Sequence, residues 1–277
     1  MRHVLVTGAN KGIGFAIVEA ILAEHADTFV YLGSRDASRG RDAAASVART
    51  SLDRVKAVSL DVADDASVAS AVTEISGHLA GKKLYGIVNN AGLGSGTGNA
   101  AAIIDTNALG VRRVCEAFLP LLDPSAGRIV NVTSASGPLY VASCDPDTQR
   151  FLLDRHVTWP RLKAFIDERS ASVKDAYGFS KACANSYTMI VAREHPGLVV
   201  NACTPGFIAT DLTRHYAESA GKSPAELGMK TPAEGTRSSM HLLFGSLEGT
   251  GNYYGSDAKR SPLDRYRAPG SPEFTGP

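Results

Sequence analysis

"HVLVTGANKGIG", residues 3–14, runs from apolar residues straight into glycines. The apolar part reads as a short buried strand. From Gly12 to His25 the spacing changes, with Ile13, Ile17, Ile21 and Leu22 on one helical face. Gly8, Gly12 and Gly14 therefore fall on the turn between a strand and a helix. Without side chains, such a turn lets the backbone approach a pyrophosphate placed over the helix N-terminus. Asn10, Lys11 and Ile13 complete this candidate dinucleotide loop. Glycines alone also suit a tight turn, so the reading depends on the rest of the chain.

Beyond His25 the chain keeps a strand–helix rhythm. Strands are expected at 28–34, 55–61, 84–92, 128–134 and 198–206, with helical patterns at 38–49, 65–79, 100–122 and 175–194 between them. That alternation predicts an α/β fold: a Rossmann-type, doubly wound parallel sheet with helices on both faces, in a single domain over 1–277. Residues 137–174 interrupt the rhythm as a helical insert, with one short helix near 146–155 and another opening at Thr158. From about Ser256 the chain is rich in Pro, Gly and charge, and an extended or poorly ordered tail is expected over 256–277.

Composition narrows the partners. Lys plus Arg (29) nearly balances Asp plus Glu (28), and a net charge of +1 gives no attraction to nucleic acid or an anionic membrane. No apolar run reaches the ~20 residues of a membrane helix. The four cysteines are scattered, with neither metal nor disulfide spacing. A soluble protein of the reducing cytoplasm, with no metal site, is the expectation.

The second strand ends in "LGSRDASRG". An NAD-preferring site usually places an acidic residue there to accept from the ribose 2′-OH, but Ser34 and Arg35 come first and Asp36 stands one position late. Lys11 and Arg35 favour a 2′-phosphate, hence NADP(H), with Arg39 as a further cation or a solvated surface arginine.

At the other end of the fold, "DAYGFSKACAN" (175–185) places Tyr177 and Lys181 four residues apart on one helix face. Ser134 ends the fifth strand, so it shares the ligand edge of the sheet with the glycine loop. Asn107 is a polar residue amid apolar neighbours in the helix before that strand. "TGANKGIG", "LDV" (60–62), "NNAG" (89–92), "DTNALG" (105–110), "VNVTS" (130–134), "AYGFSK" (176–181) and "NACTPGFIATDL" (201–212) succeed one another in the order found in the short-chain dehydrogenase/reductase family. The chain resembles the classical members of that family, and most of all the carbonyl reductase group, over about residues 3–255.

The resemblance implies a tetrad. Tyr177 would be the general acid, Lys181 would lower its pKa and position the cofactor, Ser134 would bond the substrate oxygen, and Asn107 would hold the lysine through an ordered water. It also assigns Asp61 and Val62 to the adenine, Asn90, Ala91 and Gly92 to the ribose side, and Pro205, Gly206, Ile208 and Thr210 to the carboxamide. The activity it implies is NADPH-dependent reduction of aldehydes, ketones or quinones. An NADP-dependent alcohol or steroid dehydrogenase running in the oxidative direction uses the same residues and stays open. A non-catalytic dinucleotide sensor would commonly lack part of the tetrad. Ser136, Leu139, Tyr140 and Phe207 are expected as substrate walls. They are mostly apolar with no fixed cation, and fit a small apolar carbonyl compound. The glycine-rich segment 93–99 reads as a flexible rim. The apolar stripe of the insert (Trp159, Leu162, Phe165, Ile166) is expected to cover the helix faces that oligomeric members use for assembly, making the chain a monomer. The alternative is a lid over the substrate crevice.

Overall fold

The computed structural model of the chain describes residues 1–51 and 53–276, so Leu52 and Pro277 lie outside the described residues. Its strands are β1 (Arg2–Val6), β2 (Thr28–Ser34), β3 (Val55–Ser59), β4 (Gly86–Asn89), β5 (Arg128–Val132), β6 (Val199–Cys203), β7 (Tyr253–Tyr254) and β8 (Arg260–Ser261). They form one sheet in the order β3-β2-β1-β4-β5-β6-β7-β8. All neighbours are parallel except β7 and β8. Apolar residues on both faces dictate this layout. Val4, Leu5 and Val6 are wholly buried, which requires cover above and below the sheet.

The helices are α1 (Gly12–Glu24), α2 (Ala37–Ser51), α3 (Asp65–Leu79), α4 (Ala100–Ile104), α5 (Gly110–Phe118), α6 (Ser136–Ser143), α7 (Pro146–Leu153), α8 (Trp159–Ser170), α9 (Ala176–Glu194), α10 (Arg214–Ala220) and α11 (Arg237–Phe244). Residues of α1, α2 and α11 fill the core on one face of the sheet. Residues of α3, α4, α5 and α9, with those of α7 and α8, fill it on the other. Because the chain moves outward from β1 in one direction and from β4 in the other, the crossovers diverge at the carboxyl ends of those two strands and leave a crevice. Among the described residues no helix is long and apolar enough to cross a membrane.

Three stretches depart from the sequence expectation. The single helix expected over 100–122 is broken by a π-helical turn, Asp105–Leu109, and ends in a 3₁₀ turn, Leu119–Leu121. The insert holds three helices rather than two, because α6 starts directly after the fifth strand. The tail is anchored. β8 pairs with β7, the Arg267–Asp257 ion pair is nearly buried, and Arg260 Nη2 donates to Asn252 Oδ1 and to the Gly276 carbonyl. Asp257, Arg260 and Arg267 are thus engaged by protein groups, while the Arg265–Asp264 pair stays exposed.

The insert lies on α9 and α4, not over the crevice. Leu162, Phe165 and Ile166 are buried, the Phe165 ring is 5.9 Å from that of Phe179, and Trp159 meets Tyr187 edge-on at 5.6 Å. Arg112 on α5 covers the Trp159 ring at 4.5 Å. With the sheet on one side and the insert on the other, every residue of α9 from Gly178 to Ala192 is buried.

Candidate active site

A cleft of about 640 Å³ opens at the carboxyl ends of the strands, lined by both the glycine loop and the residues around Tyr177. Its floor depends on two close approaches. Thr7 Oγ1 accepts from the Asn90 and Ala91 N–H groups, each at 3.0 Å, and Asn90 Nδ2 donates to the carbonyls of Thr7 and Gly8. This draws the β1–α1 turn onto the end of β4. A Cβ on Gly8 would lie 2.8 Å from Ala91 Cα, and one on Gly14 would lie 2.3 Å from Asn90 Nδ2. Gly8 and Gly12 also adopt φ of +61° and +58°, where a side chain is strained. Gly14 itself does not line the cleft; its role is to let α1 sit against Asn90.

The residues fit a dinucleotide. Lys11 occupies the N-cap of α1 without a side-chain cap, and no acidic residue stands in the first turn. The leading N–H groups are thereby left for an anion. Asn10, Ile13, Asp61, Val62, Ala91 and Gly92 line the same cleft, as do Pro205, Gly206, Ile208 and Thr210 opposite. At the adenine end the Arg35 side chain is exposed and, among the described residues, has no bonding partner. Asp36 is committed elsewhere: its Oδ1 accepts from the Ser38 and Arg39 N–H groups and Oδ2 sits 3.3 Å from Arg39 Nε. Those backbone bonds, with the arginine charge, hold its carboxyl below the usual range. Lys11, expected beside Arg35, points across the cleft. Its Nζ is 2.7 Å from Asp211 Oδ2, because a carboxylate from the opposite wall reaches it first.

Tyr177 and Lys181 both face the cleft from α9, whose first turn is capped by Asp175 accepting from Gly178 N–H. Lys181 is 5 % exposed and donates to the Val132 carbonyl at 3.1 Å. Burial pushes its ammonium down to about 8. Tyr177 moves opposite to the expected direction: desolvation raises the phenol, the Ser134 hydroxyl beside it pulls the other way, and Lys181 supplies none of the shift. Lys181 Nζ lies 5.7 Å from the Tyr177 ring centre, and its one hydrogen bond among the described residues goes to the backbone. Ser134 Oγ accepts from Ser136 N–H at 3.2 Å and lies 3.3 Å from Ser136 Oγ.

Asn107 is wholly buried in the π-helical turn. Its Oδ1 accepts from Leu93 N–H at 2.8 Å, and Nδ2 donates to the Leu93 carbonyl and to Ser180 Oγ. Both amide donors are used, so Asn107 ties the 93 loop to α9. It makes no direct bond to Lys181, although both side chains approach Gly92.

Of the expected substrate walls, Ser134, Ser136 and Phe207 line the cleft; Leu139 and Tyr140 do not. The helical turn of α6 sends Leu139 to solvent and packs the Tyr140 ring edge-on against Phe179 at 5.7 Å. Leu93, Leu212 and Tyr216 take their place; Leu212 closes the 201–212 motif and Leu93 opens the 93–99 rim, while Tyr216 lies outside any marked stretch. The 93–99 rim is docked: Gly94 lies against Leu212, Gly96 against His215, and Ser95 Oγ is 3.4 Å from both His215 Nε2 and Tyr216 Oη.

The chain is similar to known proteins. A family model for short chain dehydrogenases matches residues 2–144. A (+)-neomenthol dehydrogenase of Arabidopsis thaliana is 32 % identical over 82 % of this chain and 91 % of its own length. An NADPH carbonyl reductase of Sus scrofa is 31 % identical over 93 % of each chain. The solved salutaridine reductase of Papaver somniferum superposes with a TM-score of 0.76 at 27 % identity, over 92 % of this chain and 99 % of the other.

One property can be read without substrate. In protein carrying isotope-labelled lysine, one side-chain signal is expected to titrate near pH 8 and to vanish in Lys181→Met. A Lys181 midpoint at 10 or above would show the ammonium to be solvated.

Proposed function

This chain belongs to the classical short-chain dehydrogenase family, an oxidoreductase lineage acting on carbonyl and alcohol groups with a nicotinamide dinucleotide, and from that premise we propose that it reduces apolar aldehydes, ketones or quinones with NADPH. The carrying observation is that Tyr177, Ser134 and Lys181 converge in a cleft continuous with the glycine loop. When bound, the cofactor supplies the hydride. Tyr177 gives its phenolic proton to the carbonyl oxygen. Its raised pKa keeps that proton in place at neutral pH, as a reduction requires. Ser134, oriented by Ser136 N–H, donates to the same oxygen as charge develops there. Lys181, buried in the same cleft and bonded to the Val132 carbonyl, would position the cofactor beside Tyr177. Leu93, Phe207, Leu212 and Tyr216 offer apolar walls, and no cation among them selects a carboxylate. Likeness to a neomenthol dehydrogenase supports the oxidative direction as a second reading, with the same residues reversed.

Tyr177→Phe is expected to lower kcat by ~10²–10⁴-fold while NADPH still binds within threefold of wild type. A kcat within about tenfold of wild type would remove the phenol from the mechanism.

NADP preference rests on Arg35 being free and Asp36 being spent on α2. Arg35→Asp should raise the Kd of NADPH about tenfold or more, on the scale of one lost charge-assisted bond, and that of NADH far less. Equal losses for the two cofactors would leave Arg35 a structural residue.

We further propose a monomer, because the insert covers the face of α9 that a partner would need. Sedimentation at micromolar protein should give a single species of 29.1 kDa; a stable dimer or tetramer would overturn this.

A further inference from the structure

A second cavity, of about 590 Å³, lies outside the cleft and shares its 206–209 wall. A Cβ on Gly206, which lines the cleft, would lie 3.1 Å from the Cβ of Ser256, which lines the cavity. Lys230, also in the cavity, donates its N–H to the Phe207 carbonyl at 2.8 Å and accepts from Ala209 N–H. Three cations stand around this space: Lys230, Arg237 at the start of α11, and Lys259 in the turn between β7 and β8. Among the described residues, none of these three side chains has an ion pair or a hydrogen bond, and the Ser256 hydroxyl has no partner either. The carboxylates of the cavity are taken. Asp257 is paired with Arg267 and accepts from Gly270 N–H at 3.0 Å. Glu234 Oε2 accepts from Thr231 N–H at 2.8 Å and from its hydroxyl at 2.9 Å. Those bonds, with a smaller influence from Lys230, hold the Glu234 carboxyl below its usual range.

Like charges gathered around one concave surface repel one another, and an anion placed among them relieves that repulsion. Three cations and a hydroxyl suit a group with more than one negative charge and several acceptor oxygens, which a phosphate supplies. A single carboxylate would leave part of the positive charge unanswered. We propose that this cavity is a second binding site, for a small phosphate-bearing molecule held by Lys230, Arg237 and Lys259 with the Ser256 hydroxyl. All three cations are exposed, so water and salt screen them and the affinity is modest. The cations come from separate segments. A bound anion therefore ties residue 230, beside the cleft wall, to α11 and to the β7–β8 turn, and stabilises the folded chain by mass action.

The site stands apart from the dinucleotide reading of the cleft, and the two can fail separately. The probe is inorganic pyrophosphate, titrated calorimetrically into the full chain at low, constant ionic strength. NADPH is kept at saturation, so that pyrophosphate cannot occupy the glycine loop. Saturable binding of one equivalent is expected. Arg237→Gln and Lys259→Gln should each weaken it about three- to tenfold, and the two together should weaken it further, while NADPH binds within about twofold of wild type. Lys259→Arg keeps the charge and should keep the binding. Acetate at the same ionic strength should not displace pyrophosphate. Without ligand, these surface variants should melt within about 2 °C of wild type. Two results would overturn the site: no saturable binding to wild type, or binding undiminished in the double variant. If NADPH itself does not bind, the proposed function falls, and the same titrations without it still decide the cavity by wild type against the double variant.

Discussion

The site depends on one ammonium kept out of water. Lys181 Nζ has a backbone carbonyl as its hydrogen-bond acceptor and, among the described residues, no carboxylate beside it. A buried charge without a counter-ion shifts toward its neutral form, and this one falls to about 8. It can be buried because α9 is covered on both sides: β5 and β6 lie beneath it, while α6 and α8 from the insert lie above. Phe165 and Trp159 of the insert meet α9 at Phe179 and Tyr187, while Lys181 Nζ points to the Val132 carbonyl at the end of β5.

The glycine loop shows how packing and ligand binding share residues. Gly8 and Gly14 are required where they stand by Ala91 and Asn90, before any cofactor is considered. Two crossing segments, the β1–α1 turn and the end of β4, approach too closely for a methyl group. What points to an anion is different: a first helical turn with no cap and no carboxylate. The glycines bring the backbone to the crevice, and the uncapped turn gives it something to bind.

Much of this was legible in the sequence. β2 and α3 lie at the expected residues, and the sheet obeys the strand–helix alternation, because period and apolar runs report burial directly. Ser134, Tyr177, Lys181 and most of the cofactor residues meet in one cleft, since strand ends and one helix face are fixed by those periods. The misses are places where a side chain's partner decides its role. The π-helical turn at Asn107 comes after a stretch of ordinary helical spacing and is visible only once Leu93 and Ser180 are opposite it. β7, two residues long, has no periodicity to read. Tyr140 sits one helical step from the substrate mouth, and the rotation of α6 turns it inward.

Asp36 carries the same lesson at a single carboxylate. An acidic residue near the end of β2 can accept from a ribose hydroxyl or from the first N–H groups of the next helix, and the residue type suits both. One position earlier, it would stand at the strand end beside the crevice. Where it stands, Ser38 and Arg39 offer their N–H groups and Arg39 adds its guanidinium, so the helix start takes the carboxylate. The strand end is left to Ser34, whose hydroxyl donates to the Asp36 carbonyl, and to Arg35, whose guanidinium has no protein partner among the described residues. A shift of one residue between strand and helix therefore turns an acceptor suited to a hydroxyl into a free cation suited to a phosphate.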